Sequence, residues 1–399
     1  MSLIIKKSTV KYFINIIVAI ILFNPQSLSQ IPLANTIVDV LRFFIFVIFF
    51  IKWLFNKRVN NIQIFVFLFF ISRLASTIID GDNMIEVVTL FFSIIAILLY
   101  IDANKSDLST LIKSVYIAAV ILIIANTISL VLYPNGLYST NYGHNLYWVI
   151  GQKQDWNTVY IAFLISSLLL WENIKLRFKS LFIYVCVVYS FTVQLPLGLV
   201  LYFLIVLFLF FISKKRKILK AKHLFLVNMV AECILIVVAF SFEKINWLNT
   251  ILSGISANDV MTKRDTVLTR VYMWREGLTQ FSQKPILGVG NVSESRWNSL
   301  FSAVTYHPNF HNTPIDILVT SGILGLLAYI MIYSCVAKKL DRSLSRHSVI
   351  LTYGIFGINI LMLTEGLYSP FVWFFIFIGY YIQDLDRDIQ TVMYSEVER

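Results

Sequence analysis

The residues best suited to chemistry lie late in the chain. Arg270 and Arg275, preceded by Lys263 and Arg264, form a basic group, and His307 and His311 follow. Guanidinium groups grip phosphate oxygens in bidentate fashion, so this group suits an anionic lipid head group, above all a pyrophosphate. General attraction to anionic phospholipid is the blander alternative. Histidine supplies a base near neutral pH. His311 precedes Asn312-Thr313-Pro314, where Pro314 is a favoured first helical residue and Thr313 or Asn312 a favoured cap. His311 would then stand at the positive end of a helix dipole, which favours a neutral ring able to accept a proton or bond a sugar hydroxyl. His307, before Pro308, is the weaker candidate.

Certain elements must position these side chains. From Thr266 to Ser282 the apolar residues Val267, Val271, Trp274, Leu278 and Phe281 recur at four, three, four and three. That spacing predicts an amphipathic helix, ended by Lys284-Pro285, that lies on a membrane surface or caps a cavity. Arg270 falls on its polar flank near Trp274. Arg275, five residues on, points about 140° away. The whole stretch 242–313 is polar and of mixed charge, and a connection of such length is uncommon unless it works.

The rest of the chain is apolar. Of 399 residues 58% are hydrophobic and 14% charged, with 33 Phe, and the mean hydropathy is +0.76. Soluble domains carry about 45–50% apolar residues, so the composition predicts an all-α polytopic membrane protein, a single integral domain over 1–399. Twelve candidate spans lie near 10–24, 35–55, 62–79, 84–101, 111–133, 156–172, 180–196, 197–212, 223–241, 315–336, 348–367 and 370–383. The seventh and eighth meet at Leu195-Pro196-Leu197-Gly198, read as a tight turn. Cys186, Cys233 and Cys335 sit in apolar runs without metal or disulfide spacing and read as small buried hydrophobes. The first span, after Lys6, Lys7 and Lys11, resembles a secretory leader but is expected to remain uncleaved.

Charge orients the spans. With the N-terminus inside, the clusters Lys52-Lys57-Arg58, Lys175-Arg177-Lys179, Lys214 to Lys222 and Lys338 to Arg346 all fall on the cytoplasmic side. Both termini are then cytoplasmic and loop 242–313 is extracytoplasmic. The net charge of +11 becomes an orientation signal and no argument for nucleic acid. Ionisable residues within spans are costly and tend to face cavities or partners. Arg42 and Arg73 each lie about 10 Å below the outer surface at a helical rise per residue, with Asp39 placed to pair with Arg42. Glu86, Asp316 and Glu365 lie toward outer ends, and Glu232 is mid-membrane. The polar interior thus opens outward.

The combination of Arg270, Trp274, Pro285-Ile286-Leu287-Gly288-Val289-Gly290, His311-Asn312 and Ser321-Gly322-Ile323-Leu324-Gly325-Leu326-Leu327 resembles the O-antigen ligase/polymerase family of bacterial envelope enzymes over roughly 265–330. Gly151-Gln152-Lys153-Gln154 is similar to a Gly-x-Lys-Asn patch of related polymerases, with Gln154 in place of Asn. Ser190, Thr192 and Gln194 resemble a further polar patch. The resemblance implies a GT-C-like architecture in the bacterial cytoplasmic (inner) membrane. It also implies a metal-independent glycosyltransferase, without cofactor, that joins undecaprenyl-pyrophosphate-linked oligosaccharides at the outer face into O-antigen, capsular polysaccharide or exopolysaccharide. Arg270 and His311 would be catalytic. Arg42, Arg73, Lys153, Arg264, Trp274, Arg275, His307 and Asn312 would bind substrate, with Tyr306 and Trp297 as further stacking surfaces. Partners would be the lipid-linked donor and acceptor, the bilayer, and the flippase and chain-length regulator of the same pathway. Polymerase is preferred to ligase on the Gly151–Gln154 patch. A transporter of lipid-linked sugars is the reading from another class; it predicts internal repeats and broken midplane helices, which the sequence does not display.

Overall fold

A computed structural model describes residues 7–25, 27–28, 31–56, 59–139, 146–213, 219–241, 261–301, 310–366 and 368–397. Its helices are α1 (Lys7–Phe23), α2 (Pro32–Asn56), α3 (Asn61–Ile79), α4 (Met84–Ala103), α5 (Leu108–Leu132), α6 (Trp156–Leu169), α7 (Ile174–Val193), α8 (Leu197–Ser213) and α9 (Ala221–Ser241). They continue as α10 (Met261–Gln283), α11 (Glu294–Leu300), α12 (Thr313–Arg342), α13 (Arg346–Met362), α14 (Pro370–Tyr380) and α15 (Ile382–Val397). A two-residue antiparallel hairpin pairs Tyr138 with Tyr147 and Ser139 with Leu146.

A helix lies over each of the twelve apolar stretches. Six of them, α3, α4, α5, α7, α9 and α12, are long and apolar enough to cross a membrane by length and composition, and α1, α6, α8 and α14 are shorter apolar helices. The protein is an all-α polytopic membrane protein. Phe13, Phe44, Phe178, Phe182, Phe208, Phe211, Val230 and Phe240 are exposed on its perimeter. In water so much bare apolar surface would aggregate; in a bilayer it is solvated. Cys233 is exposed on α9, and Cys186 and Cys335 are partly so. The expectation of buried cysteines therefore fails, because they face the surface that lipid would cover.

The helices share two ends. At one end Lys11 pairs with Asp107 at 2.6 Å, Tyr381 donates to Asp102 at 2.8 Å, the backbone of Ala221 donates to Asp341 at 2.7 Å and Arg346 meets Glu172 at 2.8 Å. At the other end α10 and α11 lie over the start of α12. Their apolar residues form a second core of Val271, Trp274, Leu278, Val289, Trp297, Phe301, Phe310, Ile315 and Val319, separate from the main one.

Three departures from the sequence reading bear on the site. The span expected over 348–367 stops at Met362, and Ser369 with Pro370 starts a new helix, so Glu365 sits in a turn and not inside a span. The polar helix α15 follows α14, where nothing was expected. Helix α12 is broken at Gly322 (φ 63°, ψ −164°). A broken helix was the mark expected of a transporter, but here the gap is filled by chain. Val289 N–H donates to Val319 O at 2.8 Å, Ile323 N–H to Pro285 O at 2.9 Å and Leu324 N–H to Ile286 O at 3.4 Å. The backbone groups freed by the break are thus satisfied by the segment after α10, as a low-dielectric setting demands.

Candidate active site

Helix α10 forms where its 3.6-residue period predicted, and it ends at Gln283 before Pro285. It buries Val271, Trp274 and Leu278 against the start of α12. Gly277 permits the approach, since a Cβ there would stand 2.6 Å from the Phe310 ring. The Trp274 indole N–H donates to Phe310 O at 2.8 Å. That seating turns Arg270 toward the α13–α14 turn. One guanidinium nitrogen donates to Thr364 O at 2.7 Å and the other to Glu365 Oε1 at 3.1 Å.

His311 reaches the same carboxylate from the other side, with Nδ1 3.4 Å from Glu365 Oε2. Its backbone is left-handed, φ 50°, a conformation uncommon outside glycine. Its neighbours hold it there. Phe310 is 2% exposed among the Trp297 and Phe301 rings. Asn312 caps α12 as expected, its side-chain oxygen accepting from Ile315 N–H at 2.8 Å, and its amide donates to Leu363 O at 3.0 Å. Thr313 Oγ1 adds a bond to Glu365 O at 3.0 Å. Two side chains, Arg270 and His311, therefore converge on one carboxylate, and Asn312 and Thr313 hold the backbone of its turn.

Burial alone would raise the Glu365 carboxyl, but the hydrogen bond from His311 and the Arg270 charge outweigh it and hold it below the usual range. A carboxylate at Nδ1 fixes the proton on that nitrogen, so Nε2 is the atom that can take a second one. The helix-dipole argument for His311 missed this partner. Arg270 and His311 are both one-fifth to one-third exposed, at 21% and 28% of the side chain, so the group is accessible to a ligand.

Beneath lies a buried layer. Arg73, 2% exposed, donates through Nε to Asn291 Oδ1 at 2.7 Å and through Nη2 to Asp316 Oδ2 at 3.4 Å. Its guanidinium stacks 4.8 Å from the Tyr368 ring centroid, and Tyr368 donates its hydroxyl to Asp316. Asp316 also accepts from Phe310 N–H at 3.4 Å. A cavity of about 20 Å³, enough for about one water, opens beside Glu86, Asn291, Asp316 and Thr320. This layer ties α3, the segment after α10, α12 and the α13–α14 turn into one support for His311 and Glu365.

The glycine motif also proves to be support. A Cβ on Gly288 would meet Val319 O at 2.2 Å, one on Gly290 would meet Thr77 Cα at 2.7 Å, and one on Gly322 would meet Ile286 O at 2.2 Å. Gly288, Gly290 and Gly322 all have positive φ. The two runs of the motif, 285–290 and 321–327, are each other's packing partners, which is why they occur together.

The other candidates are dispersed. Arg42 donates to Ile21 O at 3.2 Å and Leu22 O at 3.3 Å, with Asp39 3.6 Å away; it satisfies the last carbonyls of α1. Arg73 is inside the supporting layer. Trp274, at 5%, and Trp297, at 3% exposure, offer no open face for a sugar, because both rings are built into the second core. Lys153 lies in the turn before α6. There Asp155 accepts from Gln152 N–H at 2.9 Å, and burial pushes its carboxyl up to about 6. Arg275 is half-buried on α10, Arg264 falls within the same helix, and His307 and Tyr306 lie outside the described residues. Asn312 holds its neighbours instead of facing outward. Sequence reasoning missed Glu365 as the joint and Tyr368 as a partner. The one signal was Glu365 itself, a carboxylate near the outer end of an apolar run.

The family model described as O-antigen ligase matches residues 180–330. That range contains Arg270, the 285–290 segment, His311 and Gly322, but not Glu365. The chain is also similar to the exopolysaccharide production protein ExoQ of Rhizobium meliloti (strain 1021), at 26% identity over 114 residues, which make up 26% of this chain and 26% of that protein. The chain thus matches about a quarter of that relative's length. The chain is similar, over parts of its length, to the O-antigen ligase family and to this exopolysaccharide production protein.

Proposed function

We propose that this O-antigen ligase/polymerase-like chain polymerises lipid-pyrophosphate-linked oligosaccharide repeats at the outer face of the bacterial cytoplasmic membrane. The observation that carries the reading is the Glu365 carboxylate shared by Arg270 at 3.1 Å and His311 at 3.4 Å. It joins an anion-binding group to a base in one accessible place. The donor is an oligosaccharide whose reducing-end sugar is bonded to pyrophosphate, and the acceptor is a hydroxyl of a second lipid-linked unit.

The chemistry follows from those two partners. The acceptor oxygen attacks the anomeric carbon on the face opposite the pyrophosphate, which departs with the bonding electron pair, so the configuration inverts. His311 Nε2 takes the acceptor's proton, and Glu365 at Nδ1 orients the ring and stabilises the imidazolium. Arg270 stabilises negative charge as it builds on the pyrophosphate, in the place of a divalent cation. An arriving pyrophosphate competes with Glu365 for Arg270. Binding of the donor therefore leaves the carboxylate to orient His311 alone.

The test uses purified protein in nanodiscs, supplied with polyprenyl-pyrophosphate-linked oligosaccharide and products sized by mass spectrometry. A ladder at multiples of the input unit is expected. Transfer only to an added second class of acceptor would replace polymerase by ligase. No transfer to either, from monodisperse protein, would sink the reading.

A further inference from the structure

Helix α9 buries a single stripe, Ala221, Leu224, Asn228, Glu232 and Ala239, while Leu226, Val227, Val230, Ile234 and Val237 are exposed. Glu232 therefore faces inward at the middle of a helix whose other side is lipid-facing surface. An ionisable group at such a depth is costly to insert and tends to face a partner or a cavity. Its Oε2 accepts from Asn312 Nδ2 at 3.1 Å. Its Oε1 is buried without a hydrogen-bond partner among the described residues.

Asn312 is a junction. It is fully buried, and its three bonds run to α9 through Glu232, to the α13–α14 turn through Leu363 O, and to α12 through Ile315 N–H. It is also the residue next to His311, whose left-handed backbone must be held. Removing the Glu232 acceptor leaves one amide hydrogen of Asn312 unsatisfied in an apolar setting and frees the junction to turn.

We propose that Glu232 is a positioning residue which, through Asn312, fixes the His311 peptide so that the imidazole meets Glu365. The proposal rests on the reading of His311 as the base. What it requires of Glu232 is an acceptor oxygen at full side-chain reach, and not a charge. Glutamine keeps the reach and loses the charge. Aspartate keeps the charge and draws the oxygen back by about one methylene, a misplacement of the size that costs on the order of 100-fold in rate.

The experiment compares Glu232→Gln and Glu232→Asp with wild type in nanodiscs. For E232Q, kcat is expected to stay within about threefold of wild type, and for E232D to fall about 100-fold with the donor KM little changed. Hydrogen–deuterium exchange supplies a readout independent of turnover. Peptides spanning 311–316 should exchange as in wild type in E232Q and faster in E232D. The reverse order, an active E232D and an inactive E232Q, would overturn the proposal by showing that charge matters. So would two variants that both behave as wild type. If wild type itself transfers no sugar, the functional reading fails, and the exchange comparison still decides whether Glu232 holds this junction.

Discussion

Glu365 draws its importance from serving two cations at once. Because its carboxyl is held below the usual range, the ion pairs it makes are present above the ordinary glutamate pKa and are lost only as pH falls through the lowered one. Above about pH 4.3 the carboxylate is charged in folded and unfolded chain alike. Glu365→Gln should therefore lose sugar transfer by on the order of 100-fold, equally at pH 6 and pH 8. A defect that vanished at pH 6 would remove Glu365 from the role assigned to it. Arg270→Ala and His311→Ala should each abolish long products while leaving the amount of membrane-inserted protein unchanged; normal chain lengths in immunoblots of either variant would take that residue out of the site. Asp155 shows the opposite sign. Its folded value of about 6 lies above the unfolded one of about 3.9, so the folded state holds the extra proton between them and stability falls as pH rises through that window. Asp155→Asn, which can still accept from Gln152 N–H, should raise the thermal midpoint at pH 7.5 and leave it unchanged at pH 3.5. An equal gain at both values would show that burial of the charge is not the cause.

The helices that carry the site differ in how openly their sequences declare them. Helix α10 was legible because its apolar residues keep a strict period and Pro285 closes it, and the start of α12 was legible from Asn312, Thr313 and Pro314. The break at Gly322 was not, since a glycine in an apolar run is common and its φ is set by the incoming backbone of Pro285 and Ile286. Glu365 was misplaced for a related reason: an apolar run says where a helix is favourable, not where a Ser-Pro cap will restart it. The break is structural, so its glycine should be sensitive. Gly322→Ala meets main-chain atoms at 2.2 Å from a positive-φ backbone and should destabilise by well over about 1 kcal/mol. Gly198→Ala meets only the end of the Leu361 side chain at 2.8 Å and should cost far less. Melting of the two variants in detergent, by dye-monitored unfolding, would test the difference, and equal midpoints would refute it.

Across the whole molecule, the class was written in composition, while α11 and α15 are helices that no apolar run announces; the Lys and Arg clusters supply an expectation of sidedness. That expectation puts Arg42, Arg73, Lys153 and the site residues on one end, but it does not say which of them touch. Arg42 and Arg73 looked equivalent by depth, yet one closes α1 and the other lies under the site. Orientation can be tested at two exposed positions at opposite ends, Asn298 and Ser106. A cysteine at Asn298 should react with a membrane-impermeant maleimide in intact spheroplasts, and one at Ser106 only after lysis. The opposite pattern would put the site on the cytoplasmic side and end the proposed use of an externalised donor.

Arg73 and its partner Asp316 are 243 residues apart in sequence, and Tyr368 comes later still. During synthesis α3 thus reaches the membrane long before Asp316 and Tyr368 have left the ribosome, although Glu86 of α4, an opposing charge that acts on the Arg73 guanidinium, follows closely. Until α12 arrives, the charge must stay near the outer head groups or be sheltered by helices already in place, because hydrocarbon alone would not hold it. Arrival of Asp316 and Tyr368 lets α3 settle to its final depth, and the same event sets the floor on which His311 and Glu365 rest. Assembly of the reactive group is in this way deferred to the last third of translation, and a chain truncated before α12 would carry Arg73 without Asp316 and Tyr368, the partners that fix its place.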